Sequence, residues 1–74
     1  MTFHERELAL LHAHVGDRWQ DRKSPGYVVE IAEWTFTQPY LSAGHLRVKY
    51  PSKKTLDITP YTFCCKYTPV EANP

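Results

Sequence analysis

His45-Leu46-Arg47-Val48-Lys49-Tyr50 alternates strictly between apolar and polar side chains. A strand repeats every two residues, so Leu46, Val48 and Tyr50 share one face, and His45, Arg47 and Lys49 share the other. Such a run lies with one face on a core and the other in water. The flanking residues extend the pattern. Pro51-Ser52-Lys53-Lys54 predicts a tight turn, and Thr55-Leu56-Asp57-Ile58 alternates again. Upstream, Tyr27 to Phe36 is rich in β-branched and aromatic residues, with Val28, Val29, Ile31, Trp34 and Phe36. Its apolar phase slips midway, which a bulge or burial on both faces explains. Before it, Arg18-Trp19-Gln20-Asp21-Arg22 places Trp19 inward. Lys23-Ser24-Pro25-Gly26 is a turn, since Pro presets φ and Gly accepts positive φ. Thr59-Pro60 predicts a short turn or 3₁₀ segment, because Pro suits a first helical position and not a ladder. Phe63 to Tyr67 reads as a last short strand.

The N-terminal segment has a different period. Thr2 and Glu5 have the spacing of a capping box, in which each side chain satisfies a free backbone donor of the first turn. Leu8, Leu11 and Val15 follow on one stripe, flanked by Ala9, Leu10 and Ala13. Gly16 suits the left-handed position after a helix, and His12 and His14 fall in its last turn. The spacing predicts a helix over residues 3–15, a barrel over 17–68 and a disordered tail over 70–74, in a single domain spanning 1–74. Five short strands are too few for a sandwich, but they can curl into a small barrel that removes exposed edges. The predicted fold is mainly β (α+β): a small five-stranded SH3-like barrel with an N-terminal α-helix. Its predicted core is Leu8, Leu11, Val15, Trp19, Val29, Ile31, Leu46, Val48, Leu56, Ile58 and Phe63.

A chain of 74 residues must build its core from a few large side chains, and two Trp, five Tyr and three Phe supply them. The net charge of +1 is too small to argue for a nucleic-acid or membrane partner from bulk electrostatics. No run approaches the length of a membrane span. The first residues carry no basic and apolar signal pattern, and Cys64 and Cys65 are adjacent, which strains a mutual disulfide. The expected setting is the cytoplasm, with both thiols reduced.

Catalytic and metal constellations are sparse. His12 and His14, two apart on a helix, do not share a face, so they cannot chelate one ion. Adjacent cysteines lack the usual spacing of a zinc pair, and one core residue beside one surface thiol is the expected arrangement. The carboxylates show no motif, and the glycines form no phosphate loop. The expectation is a non-enzyme without metal or cofactor. Two features suit binding. The stretch Thr35-Phe36-Thr37-Gln38-Pro39-Tyr40-Leu41-Ser42-Ala43-Gly44 is uncharged and carries Phe36, Tyr40 and Leu41 close to Trp34. These side chains either cover a barrel end or anchor a protein partner. The row Arg47, Lys49, Lys53 and Lys54 either contacts nucleic-acid phosphates or forms a solvated face that discourages aggregation.

The run Val15-Gly16-Asp17-Arg18-Trp19-Gln20-Asp21-Arg22, then Tyr27-Val28-Val29-Glu30-Ile31, Leu46-Arg47-Val48-Lys49-Tyr50 and a closing Phe63 and Tyr67, resembles small SH3-like proteins of phages and prophages. The resemblance covers residues 15–70. It implies a mobile-element origin and carries no active-site residues. The leading expectation is an accessory interaction module that binds a host or phage protein. A nucleic-acid-binding barrel is the alternative, and no membrane partner is expected.

Overall fold

The computed structural model describes residues 1–35 and 44–70. Helix α1 spans Phe3–Leu11, followed by strands β1 (Arg18–Asp21), β2 (Val28–Thr35), β3 (His45–Lys49) and β4 (Thr55–Ile58). Helix α2 (Pro60–Lys66) and strand β5 (Tyr67–Pro69) complete the order. The strands form one antiparallel sheet in the order β4-β3-β2-β1-β5. The chain is therefore a small α+β protein. Among the described residues no ladder joins β4 to β5, so the sheet is open and these strands are its edges.

The capping box forms as the sequence predicts. The Glu5 amide donates to Thr2 Oγ1 at 3.1 Å, and the Thr2 amide donates to Glu5 Oε1 at 2.7 Å. The helix is shorter than the predicted 3–15, however. His12 is its C-cap, and Asp17 holds the chain beyond in a turn by accepting from the His14 amide at 2.9 Å. The buried stripe also differs. Phe3, Arg6, Leu10 and Ala13 face inward, while Leu8 is 45% and Val15 63% exposed. The polar residue in that stripe, Arg6, hid it from a count of apolar positions. Arg6 is only 4% exposed. Its Nε donates to the Cys64 carbonyl at 2.6 Å and its Nη1 to the Met1 carbonyl at 2.8 Å. Among the described residues no carboxylate pairs with this charge, and its bond to Cys64 joins α1 to α2.

Phe63 to Lys66 is not a strand but the body of α2. Thr59 caps it, its Oγ1 accepting from the Thr62 amide at 3.2 Å, and Pro60 takes the first turn. Pro60, Phe63, Cys64 and Tyr67 are all buried, and their spacing of three, four and seven is helical. Only Tyr67 to Pro69 returns to the sheet, pairing with β1. The Val70 amide donates to the Arg18 carbonyl at 3.1 Å, so pairing continues to the first residue of the predicted tail. Residues 71–74 lie outside the described residues.

The slip of phase in the second strand is a bulge. Register shifts between Ile31 and Glu33, so Val29 and Ile31 point inward before it and Trp34 points inward after it, opposite Leu46. Trp34 Nε1 donates to the Leu10 carbonyl at 2.9 Å, fastening the end of α1 to the sheet. The hairpin between β3 and β4 closes through Tyr50 and Lys54, with Lys53 in the left-handed region at φ 74°. The core is Leu10, Trp19, Val29, Ile31, Leu46, Val48, Phe63, Cys64 and Tyr67, with Ile58 packed against it. Leu56, predicted as core, is 55% exposed. It lies on the inner side of an edge strand, opposite Val48 and beyond the buried cluster.

Phe63 touches both Trp19 and Tyr67, whereas Leu8 lies on the solvent side of α1. Phe63→Ala is expected to cost about 3–5 kcal/mol. Leu8→Ala should stay within about 0.5 kcal/mol of the parent. Urea unfolding followed by tryptophan fluorescence measures both.

Candidate functional site

The outer face of the sheet carries two rows of charge. Antiparallel register places Arg18 opposite Glu30 and Glu30 opposite Lys49. It likewise places Glu33 opposite Arg47 and Arg47 opposite Asp57. Sign alternates across the strands in both rows. Arg47 is held from both sides: Nη1 donates to Glu33 Oε2 at 3.0 Å and Nε to Asp57 Oδ1 at 2.9 Å. His45 Nε2 lies 3.7 Å from the same Asp57 oxygen. The row Arg47, Lys49, Lys53 and Lys54 is thus divided. Arg47 is occupied by two carboxylates, Lys49 is in register with Glu30, and Lys53 and Lys54 sit at the exposed hairpin.

Of the other candidate residues, only Trp34 falls among the described residues. Thr35, the last residue of β2, pairs with His45, the first of β3. Phe36, Tyr40 and Leu41 lie outside the described residues. Trp34 is partly buried and turned toward α1. A local signal existed for that orientation, since a bulge resets the inward phase.

β4 offers a surface that alternation alone did not reveal. Its backbone pairs with β3 on one side, and among the described residues no strand pairs with the other. Leu56 and Ile58 stand opposite the buried Val48 and Leu46, and so share their face of the sheet. Ile58 is half-buried and Leu56 is exposed. A shallow hollow of about 240 Å³ adjoins Ile58, lined also by Gly44, His45, Leu46, Asp57 and Thr59. An apolar side chain beside an unpaired strand edge can accept another extended chain.

Among the described residues, no group of three or more His, Cys, Asp or Glu is placed to hold a metal ion. Cys64 is buried and Cys65 is partly exposed, as expected of one core residue beside one surface thiol. The helix separates them by its rotation per residue, not by strand alternation. Burial pushes the Cys64 thiol from its ordinary 9.0 up to about 11. Burial, with Tyr50 next in effect, pushes the Tyr67 hydroxyl up to about 12. No described helix is long and apolar enough to cross a membrane.

Two pH effects follow. The hydrogen bond from Arg47 holds the Asp57 carboxyl below its ordinary 3.8, with the Arg47 and His45 charges adding to it. A lowered folded value contributes stability above the unfolded value that is lost as pH falls through the folded one. Arg47→Ala should therefore move the Asp57 titration upward toward 3.8 in carboxyl-detected NMR. For Cys64 the sign is opposite. Its raised value contributes stability that is complete below pH 9.0 and lost as pH rises through about 11. The urea midpoint should fall over that range, and Cys64→Ala should flatten the slope.

Comparison of the chain with family models, with curated proteins and with solved structures finds no match, so its functional reading rests on its own residues.

Proposed function

We propose that this chain is a non-enzymatic interaction module that binds a protein partner along the free edge of β4. The carrying observation is the exposure of Leu56 on the core side of an edge strand whose outer backbone pairs with no strand among the described residues. An extended segment of the partner would continue the sheet through main-chain hydrogen bonds. Its alternate apolar side chains would cover Leu56 and the hollow beside Ile58. Phe36, Tyr40 and Leu41, from the uncharged stretch that precedes β3 in the sequence, are proposed to add apolar contact with the same partner.

The sheet is read as a partly opened relative of the SH3-like barrel. Support comes from five short antiparallel strands, a last strand that returns beside the first, and the small helix before it. With the resemblance carried by residues 15–70, this favours a phage or prophage accessory protein in the host cytoplasm whose partner is a host or phage protein. The alternating charges of the outer face favour protein over nucleic acid, because Arg47 has no charge left to offer a phosphate.

Peptides selected from a display library against the folded chain test this reading. Bound peptides should slow amide exchange across Thr55–Ile58. Leu56→Lys should abolish binding while changing stability by less than about 0.5 kcal/mol. Tyr40→Ala with Leu41→Ala should weaken binding without unfolding the chain. Binders that leave the β4 amides unprotected, or that ignore Leu56→Lys, would overturn it.

A further inference from the structure

The last turn of α2 leaves backbone carbonyls that the helix itself cannot satisfy. Arg22, just past the end of β1, takes two of them. Its amide donates to the Lys66 carbonyl at 2.9 Å, and its Nη1 donates to the Cys65 carbonyl at 2.7 Å. These bonds hold the turn after β1 against α2. Asp21 is drawn into that turn, where Oδ1 accepts from the amides of Lys23 at 2.7 Å and Ser24 at 3.1 Å.

A cleft of about 270 Å³ remains between turn and helix, lined by Asp21, Arg22, Lys23, Cys65 and Lys66. Its lining carries three cations and one carboxylate. The carboxylate is already engaged by two amides. Among the described residues, neither Lys23 nor Lys66 has an ion-pair partner, and Arg22 uses only one of its side-chain donors. The carbonyls that would repel an anion are capped by Arg22. The cleft is smaller than a typical drug-sized pocket. It therefore pairs excess positive charge with room for a compact ligand.

We propose that this cleft is a binding site for a small phosphate-type dianion, either inorganic phosphate or a phosphomonoester. A dianion matches the net charge of the lining, whereas a single carboxylate would leave a cation unpaired. Arg22 offers a planar fork suited to phosphate oxygens, and Lys23 and Lys66 act as point charges on either side. The site is independent of the β4 edge, and failure of either leaves the other standing.

Cys65 serves as a reporter, because Cys64 is fully buried. A dianionic aromatic disulfide reacts with the Cys65 thiolate. The sulfur attacks, the reagent's S–S bond breaks, an aryl thiolate leaves and the thiol proton passes to buffer. A neutral dipyridyl disulfide is the charge control. The ratio of the two rates should exceed that of a small free thiol by roughly threefold and shrink with added salt. Lys23→Ala with Lys66→Ala should abolish the excess, and Lys53→Ala with Lys54→Ala should leave it intact. At constant ionic strength, inorganic phosphate should slow the dianionic reagent selectively and shift the amides of Arg22, Lys23, Cys65 and Lys66. Glycerol phosphate run in parallel separates the sources. Tighter binding of the ester assigns the site to a phosphomonoester, and equal or weaker binding assigns it to phosphate itself. A rate ratio equal to that of the free thiol, or phosphate shifts that persist in the Lys23→Ala, Lys66→Ala chain, would overturn the proposal.

Discussion

The contact of Phe63 with Trp19 and Tyr67 is the constraint on which the rest of this structure depends. The ring centroids lie 4.7 Å apart for Trp19 and Phe63, and 5.1 Å for Phe63 and Tyr67, with tilted planes in both pairs. Such pairs add about 0.5–1.5 kcal/mol each beyond the area they bury. Trp19 belongs to β1, Phe63 to α2 and Tyr67 to β5. One cluster therefore brings the end of the chain back to the first strand. Without it, the hairpins of β2, β3 and β4 would have no helix to cover their inner face at that side.

Arg6 completes the closure from the N-terminal side. Its hydrogen bond to Cys64 ties α1 to α2, and its guanidinium lies 5.8 Å from the Phe3 ring centroid. Phe3 in turn meets Tyr61 at 5.3 Å. A buried guanidinium is costly unless its donors are met, and here two backbone carbonyls meet them. The two helices thus cover β1, β5 and the middle of the sheet. Ile58 of β4 still packs against the core while Leu56 stays exposed, and that asymmetry is the origin of the proposed docking edge.

Charge is distributed to similar effect. On the outer face, cross-strand register neutralises Arg47 and sets Lys49 against Glu30. At the junction of α2 with the β1–β2 turn, backbone amides engage the one acidic group and leave three cations around a cleft. A chain whose formal net charge is only +1 can therefore hold a locally positive pocket. The two proposed surfaces use different physics, main-chain pairing at an edge and charge in a concavity.

Local patterns determined much of this protein. The capping box of Thr2 and Glu5, the alternation of Leu46 and Val48, the turns at Pro25-Gly26 and Pro51 and the slip of phase in β2 all depend on neighbours within a few residues. These signals suffice for one helix and a small antiparallel sheet. Other features needed the tertiary fold. Arg6 reads as a surface cation until the Cys64 carbonyl, far along the chain, supplies its partner. Phe63 to Lys66 has both aromatic strand character and helical spacing, and burial against Trp19 chose the helix. Leu56 fits the same alternation as Val48, yet its burial depends on whether another element crosses that edge, and none of the described ones does. The basic row looks continuous along the chain, but its neutralisation is set across strands, by the register that brings Glu33 and Asp57 to Arg47. Short-range geometry is written in the local sequence, while burial and charge pairing are properties of which distant segments meet.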